Sequence, residues 1–258
     1  MCSLTFFYLC AMITRNTIKF IQSLKLAKYR NEQQLFVVEG KKCVEELLDS
    51  SFETAGLYAT ERFLNEHALD DERIEIVNET QMGQMSSLQT PPGILAVVRI
   101  PSLTKPLPQE PLSIVLDGIS NPGNLGTIIR TAEWFGIKNI VCSEDCVEAW
   151  NPKVVQATMG SIFRVNVVST DLVSFLIEQH SNNRAVYGAL LKGESLYHKS
   201  HWDEGIIVVG SESHGIRETL LPYITHPITI PRSKNSITES LNASMATGII
   251  LAFWASKS

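Results

Sequence analysis

The sequence of 258 residues lacks the signatures of several common enzyme classes. It has no G-x-x-x-x-G-K-[ST] phosphate loop, and no G-x-G-x-x-G turn follows a predicted strand, so a standard nucleotide or dinucleotide site is not expected. The signatures of serine hydrolases and zinc hydrolases are also missing. We therefore look for functional residues in other groups of polar side chains.

Cysteine is scarce, and its five copies are scattered along the chain. An odd, scattered set argues against a disulfide framework and for a reducing compartment, so we expect a cytoplasmic protein. Cys142 and Cys146 lie four residues apart, but no second Cys or His pair near them completes a zinc site. We interpret both as small buried hydrophobic residues, and we expect no metal.

The longest apolar run at the N-terminus, MCSLTFFYLCAM, is too short to span a bilayer, so no membrane partner is expected. No basic residue precedes this run, which disfavours a cleavable signal peptide. We interpret residues 1–11 as an extension. Met12 is an alternative start, because amphipathic patterning begins directly after it.

Basic residues are also fewer than acidic ones, which gives a net charge of −5. This balance counts against a nucleic-acid partner, because phosphate binding favours a basic surface. Residues 15–42 are an exception with seven basic and two acidic residues, which leaves −10 for the remainder. The basic residues are Arg15, Lys19, Lys25, Lys28, Arg30, Lys41 and Lys42. They form either an RNA-docking surface or an ordinary solvated helix face, and charge alone favours the second.

A stretch of four prolines at residues 101–111 predicts a linker between two domains. Residues 12–100 read as a small α/β domain of four strands, with helices predicted over 17–27 and 41–48. Residues 112–258 alternate apolar strands with helices, which predicts an α/β domain with a parallel sheet covered on both faces. Its strands are predicted at 112–118, 139–143, 163–168, 185–191, 205–212 and 224–231, and its helices at 124–135, 152–159, 172–179, 215–221 and 240–254.

Polar residues follow three of these strands, where ligands bind in open parallel sheets. In residues 116–136 a Gly-rich turn leads into a helix with backbone amides open to an anion, and Arg130 lies six positions after Asn124. Residues 208–215 place Glu212 and His214 after the next such strand. Each feature also has a non-functional interpretation. The first segment can be a tight turn with a surface arginine, and Glu212 can be a solvated loop carboxylate or a helix-capping group. For His214 we favour an exposed loop residue.

The third segment, residues 228–254, brings Ser240, Asn242 and Ser244 to the start of the last helix. Small polar residues at such positions are usually caps, so capping is the alternative to a functional role. Ala243, Ala246 and Gly248 are small enough to let this helix approach another backbone closely.

Taken together and in this order, the segments resemble the three motifs of the SpoU (TrmH) branch of the SPOUT RNA methyltransferases. The segments that carry the likeness are NPGNLGTIIRTAEWFG, VVGSESHGI and IPRSKNSITESLNASMATGIILAF, supported by NPKVVQATMGSIFRV. The N-terminal half, through FVVEGKKCVEELL, resembles the L30e-like substrate-binding domain that often precedes this catalytic domain. The loop RSKNSITE departs from the family, being longer and more polar than the usual Gly-containing loop.

The resemblance implies an S-adenosylmethionine-dependent enzyme that methylates a ribose 2′-hydroxyl of rRNA or tRNA. It implies a homodimer with an active site shared between subunits, and a trefoil knot formed by about residues 205–258. The catalytic residues that it implies are Arg130, Asn124, Glu212, Ser240 and Asn242. The backbone contacts that it implies for the cofactor fall on Gly210, Ile230, Leu241 and Leu190.

Arg130 is an awkward general base because arginine stays protonated in proteins. We therefore expect it to hold the RNA phosphate and stabilise the developing alkoxide, while the phosphate or a water accepts the proton. Asn124 would help to fix Arg130, and Glu212 would orient either Arg130 or the ribose. A direct base role of Arg130 is the alternative. Other readings are a base methyltransferase, which the S-L-N-x-S signature disfavours, a generic α/β enzyme, and a catalytically silent RNA-binding protein. The last predicts loss of the motif residues, all of which are present.

Overall fold

The computed structural model describes residues 13–102, 109–198 and 202–257, and the chain divides after Pro101 into two compact units. The predicted extension, the alternative start at Met12 and residues 103–108 of the predicted linker lie outside the described residues. No helix of the described residues is long and apolar enough to cross a membrane.

The first unit is a four-stranded mixed sheet with helices, as predicted. Its strands are β1 (Leu35–Glu39), β2 (Thr54–Thr60), β3 (Ile74–Val77) and β4 (Ile94–Arg99), in the order β1-β4-β2-β3. Only β2 and β3 are parallel. Its helices are α1 (Arg15–Ser23), α2 (Ala27–Gln33), α3 (Lys41–Leu48), α4 (Glu61–Glu66) and α5 (Glu79–Met85). Side chains of α1 and α5, among them Ile21 and Met82, share one apolar core with the sheet.

The helix predicted over residues 17–27 is interrupted. Leu24 caps α1, and Leu26 adopts an extended conformation before α2 begins. The carbonyl of Leu24, left without a helical partner, accepts a hydrogen bond of 2.7 Å from Nη1 of Arg30. Arg30 is only 1% exposed, so its guanidinium is part of the fold rather than of the surface.

The second unit contains six strands, all parallel. They are β5 (Leu112–Asp117), β6 (Asn139–Cys142), β7 (Asn166–Ser169), β8 (Ala185–Ser195), β9 (Gly205–Gly210) and β10 (His226–Thr229), in the order β10-β8-β9-β5-β6-β7. The helices are α6 (Pro122–Trp134), α7 (Pro152–Thr158), α8 (Leu172–Ser181) and α9 (Ala243–Ala255). The predicted parallel sheet is confirmed.

Both faces of this sheet are covered, which explains its continuous apolar strands. Val115 and Val208 pack with Leu176 of α8 in one core cluster. Their strand neighbours Leu116 and Val209 are also buried, and alternation along a strand points them to the opposite face. There α6 packs against α7 and α9, and α9 contacts β9.

One predicted element is wrong, and two others begin later than predicted. Residues 215–221 do not form a helix, because the chain makes a tight turn at 211–215 and a single 3₁₀ turn at Leu221–Tyr223. The strand predicted from residue 163 begins at Asn166, since Ser161–Phe163 form a 3₁₀ turn after Gly160, whose φ is +96°. The last helix begins at Ala243 rather than at residue 240.

The close helix approach occurs at a different glycine from the one expected. A Cβ on Gly126 of α6 would lie 2.5 Å from Cβ of Ala157 and 2.9 Å from the carbonyl oxygen of Val154. A Cβ on Gly248 of α9 would meet nothing nearer than Thr131, at an ordinary 3.8 Å. The required glycine therefore lies where α6 crosses α7.

Candidate active site

The site lies where the strand order changes direction. From β5 the chain adds β6 and β7 on one side, whereas β9, β8 and β10 lie on the other. Such a switch point opens a crevice at the carboxyl ends of the two central strands. The turn after β5 and the turn after β9 both enter this crevice, as the sequence predicted.

The first turn is organised by Asn121. Its Oδ1 accepts hydrogen bonds from the backbone N–H groups of Gly123, at 2.8 Å, and Asn124, at 3.2 Å. Pro122 occupies the first helical position, where a missing N–H costs nothing. The amides expected to stay open for an anion are therefore capped by a side chain, and the helix begins two residues earlier than predicted.

The second turn, residues 211–215, presents Glu212. The N–H of Gly215 donates to the carbonyl of Ser211 at 2.9 Å, which closes the turn. A Cβ on Gly210 would lie 2.0 Å from the carbonyl carbon of Gly215, so only glycine lets the chain fold back here. His214 is exposed, as favoured from the sequence, and its Nδ1 lies 2.8 Å from Oγ of Ser213.

Asn242 is the N-cap of α9 and also faces the other two motifs. Its Oδ1 accepts from the N–H groups of Ser244, at 3.0 Å, and Met245, at 3.3 Å. Its Nδ2 donates to Oδ1 of Asn124 at 2.9 Å and to Oε1 of Glu212 at 3.3 Å. Capping and site formation, which looked like alternatives in the sequence, are both true of this residue.

Glu212 is the centre of the network. Its Oε1 accepts hydrogen bonds from Nδ2 of Asn124, from Nδ2 of Asn242 and, at 3.3 Å, from the N–H of Ala243. The carboxylate thus sits at the N-terminus of α9, where the helix dipole favours negative charge. Three motifs that are far apart in the sequence meet in one hydrogen-bonded cluster.

Arg130 does not join this cluster within one chain. It is exposed on α6 and, among the described residues, makes no hydrogen bond or ion pair. Six residues of helix separate it from Asn124, a rise of about 9 Å. Within a single chain, Arg130 therefore does not contact Asn124 or Glu212, which are bound to each other and to Asn242. The expected role of Glu212 in orienting the ribose or Arg130 stays a prediction.

The remaining predicted residues line the same edge of the sheet. Gly210 ends β9, Ile230 directly follows β10, and Leu190 lies on β8. Ser240 and Leu241 are exposed in the segment that precedes α9. Among the described contacts, none of these side chains takes part in the cluster of Asn124, Glu212 and Asn242, and their expected roles stay predictions.

The predicted RNA-binding residues of the first unit divide into exposed and buried ones. Arg30 is a wrong prediction, because its guanidinium is buried against Leu24. The lysines at positions 19, 25, 28, 41 and 42 are exposed. Lys25 donates to the carbonyl of Ser86 at 2.7 Å, and Lys42 is paired with Glu46.

Sequence reasoning missed a group of charged residues behind the Glu212 turn. Asp117, the last residue of β5, is 1% exposed and is bound by Arg217. Arg217 in turn reaches Asp145 at 2.9 Å. The available signal was a carboxylate ending a fully buried strand, since such a charge requires a partner.

The two close cysteines differ from each other, and only Cys142 is buried as the sequence predicted. Cys142 is buried, and the hydrogen bond with Cys146 together with burial raises its pKa well above the usual value. Cys146 is only half-buried, and hydrogen bonds led by that from Cys142 lower its pKa to about 6. Its sulfur accepts the N–H of Ile119 at 3.2 Å.

In the described ranges, no group of three or more His, Cys, Asp or Glu side chains is placed to hold a metal ion.

The matches to known proteins agree with this arrangement. Residues 111–252 match the SpoU rRNA Methylase family, and residues 15–96 match the MRM3-like substrate binding domain. The chain belongs to the SpoU rRNA methylase family. It is 27% identical to the 23S rRNA (guanosine(2553)-2′-O)-methyltransferase RlmP of Bacillus subtilis, over 91% of this chain and 94% of that protein.

Other SpoU relatives match over different extents. The mitochondrial rRNA methyltransferase 3 of Xenopus laevis is 32% identical over 59% of this chain but 39% of its own length. A TrmH-family protein from Porphyromonas gingivalis superposes with a TM-score of 0.87 at 36% identity, covering 96% of this chain and all of that one. An AdoMet-bound rRNA methyltransferase from Sinorhizobium meliloti superposes at 0.80, with 25% identity and 94% and 95% coverage.

Proposed function

We propose that this SpoU family member transfers a methyl group from S-adenosylmethionine to a ribose 2′-hydroxyl of rRNA or tRNA. The observation that carries the proposal is the meeting of Asn124, Glu212 and Asn242 at the switch point of a parallel sheet. These residues belong to three separate sequence motifs, and a protein that had kept only the fold would not need to preserve their mutual hydrogen bonds. The names of the relatives support the same reaction.

The edge of the sheet offers groups that suit this cofactor. Backbone at Gly210, Ile230, Leu241 and Leu190 would contact it, and no phosphate has to be bound, in keeping with the missing phosphate loop. The cofactor supplies an electrophilic methyl group on a sulfonium. Glu212 provides a nearby carboxylate that is compatible with this positive charge.

Arg130 would bind the RNA phosphate beside the reacting ribose and stabilise the charge that develops on the 2′-oxygen. Since it lies apart from the cluster in one chain, we propose that it serves the site of a second copy in a homodimer. Large exposed apolar side chains on two contacting helices support such an interface, namely Trp134 on α6 and Met245 on α9.

Methyl transfer is tested with the full chain, methyl-labelled S-adenosylmethionine and rRNA or tRNA. We expect label that survives base removal and blocks alkaline cleavage at one linkage, because a 2′-O-methyl group removes the internal nucleophile. Glu212→Gln, which should transfer far more slowly but still measurably, is the matched control. Label on a base, or equal transfer by this variant, contradicts the proposal.

The shared site is tested by co-expressing two inactive variants, Arg130→Ala and Asn242→Ala, with different tags. If Arg130 acts across the dimer, each mixed dimer has one intact site. Random mixing then restores roughly a quarter of wild-type activity, since about half of the dimers are mixed. If both residues serve the site of their own subunit, no activity returns, and the shared site is refuted.

The first unit would hold the RNA. Lys19 and Lys28 are exposed next to the exposed aromatic residues Phe20 and Tyr29, a combination that suits phosphate and base contacts. Lys25, Lys41 and Lys42 would add to this surface, whereas Arg30 no longer belongs to it. The domain limits at 12–100 and 112–258, the trefoil knot and the cytoplasmic location remain parts of this proposal.

A further inference from the structure

Asp117 connects the two central strands at the edge that carries the site. It is the last residue of β5, and its backbone pairs in register with Gly210, the last residue of β9. Its carboxylate is buried, with 1% of the residue exposed. Oδ2 accepts the backbone N–H of Arg217 at 2.8 Å, and Oδ1 accepts from Nε and Nη2 of the same residue.

Arg217 is bound on its other side by a second carboxylate. Its Nη2 lies 2.9 Å from Oδ1 of Asp145, in the loop after β6. A hydrogen bond from Ser143, followed by the charge of Arg217, lowers the pKa of Asp145. The planar guanidinium therefore bridges two carboxyl groups, a geometry that an ammonium cannot reproduce.

Asp117 thereby fixes both ends of the segment that carries Glu212. Gly210 is held through the strand pairing, and Arg217 is held through its own backbone and side chain. Between them, the bridge from Ser211 to Gly215 closes the turn. The position of Glu212 relative to β5 is thus set by a buried ion pair rather than by the turn alone.

This position matters because Glu212 must reach donors on two other elements. Its Oε1 accepts from Asn124 on α6 and from Ala243 at the start of α9. A shift of the turn by about 1 Å would break these bonds, and misplacements of this size are known to cost roughly a hundredfold in rate.

We propose that Arg217 and Asp117 are positioning residues for methyl transfer, which hold the Glu212 turn against the end of β5 so that its carboxylate stays within the cluster. The inference rests on the proposed function. Neither residue needs to touch RNA or cofactor, because Arg217 acts only through the place it gives to Glu212.

The test compares variants of the full chain. Arg217→Gln leaves the buried Asp117 unpaired and can fail to fold, so Asp117→Asn/Arg217→Gln, which removes both charges, is measured beside it. Arg164→Gln is the matched control, since Arg164 is 42% exposed against 46% for Arg217 and also binds a carboxylate, that of Glu133. We expect kcat to fall on the order of 10- to 100-fold in the double variant, with KM for RNA changed less than about threefold. Arg164→Gln should stay near wild type, and Arg217→Lys should regain part of the rate.

A double-mutant cycle separates positioning from a merely structural role. If Arg217 acts through Glu212, the loss from Asp117→Asn/Arg217→Gln should almost vanish in a Glu212→Gln background. Equal losses in both backgrounds, or a double variant as active as Arg164→Gln, overturn the proposal.

Hydrogen exchange gives a readout without turnover, and amides 211–216 should exchange faster in the double variant. If the wild-type chain transfers no methyl group but amides 211–216 still exchange faster in the double variant, the proposed function fails and the holding role stands. If the exchange of these amides is unchanged in the double variant, the holding role is refuted.

Discussion

At the scale of single residues, Asn242 uses the two ends of one amide for different tasks. Its oxygen caps α9, and its nitrogen binds Asn124 and Glu212. Asn242→Asp keeps a good capping oxygen but turns a second oxygen towards Glu212. We therefore expect methyl transfer to fall on the order of a hundredfold, with little loss of stability. Asn242→Ala should lose the activity and also about 1 kcal/mol of stability. Thermal unfolding and rate assays on both variants check this, and equal destabilisation by both would contradict the division of tasks.

Gly126 and Gly248 form a second comparison between single residues. A Cβ on Gly126 would collide with Ala157 at 2.5 Å, whereas one on Gly248 would meet Thr131 at 3.8 Å. Gly126→Ala should lower the free energy of unfolding by about 1–3 kcal/mol through overpacking. Gly248→Ala should raise it by about 0.5–1 kcal/mol, because alanine favours a helix. Denaturant unfolding measures both, and the same sign for the two variants would show that the crossing of α6 and α7 is not as tight as described.

At the scale of elements, α1 and α2 carry the prediction about RNA docking. Replacing Lys19 and Lys28 by alanine should weaken binding to every RNA tested. It should also reduce the slope of log affinity against log salt by about two units, one for each lost phosphate contact. Arg62→Ala/Arg73→Ala removes the same charge outside α1 and α2, where Arg62 pairs with Glu66 and Arg73 pairs with Asp71. Filter binding over a salt series distinguishes the two pairs, and equal slopes would place the docking surface elsewhere.

The elements differ in how well the sequence predicts them, and the reason is physical. Strands such as Leu112–Asp117 are buried on both faces, so an unbroken apolar run marks them. Residues 211–223 have no such run, and the shape of the chain there depends on Asp117, about a hundred residues earlier. Local patterns cannot contain that contact. The break between α1 and α2 has a different reason. Its contact is local, because Arg30 binds the carbonyl of Leu24 six residues earlier, but apolar spacing does not show that an arginine is buried.

The site was predictable in its members but not in its contacts. Asn124, Glu212 and Asn242 follow or flank strand ends, and parallel strands bring such positions to one edge. The expected contact of Glu212 with Arg130 does not occur within one chain, where Oε1 of Glu212 accepts from Asn124, Asn242 and Ala243 instead. The packing role of Gly126 could not be predicted either, because the sequence does not show which residues a glycine in a helix contacts.

At the scale of the whole molecule, the two compact units predict separable activities. A fragment of residues 102–258 holds the complete cluster of Asn124, Glu212 and Asn242 and should fold alone. Calorimetry should find S-adenosylmethionine binding within about threefold of the full chain, because the proposed contacts all lie in this unit. RNA affinity should fall much further, since the exposed lysines are missing. A well-folded fragment without cofactor binding would contradict this assignment.

The cluster also has a consequence for the chain while it is being synthesised. Glu212 depends on donors at Asn124 and Asn242, so the ribosome must release the final helix before the cluster can form. At about 5–20 residues per second, the thirty positions between Glu212 and Asn242 delay this moment by a few seconds. A nascent or prematurely terminated chain that lacks α9 would therefore have the proposed RNA-docking surface without the means to modify what it binds. Activity begins only when α9 is in place.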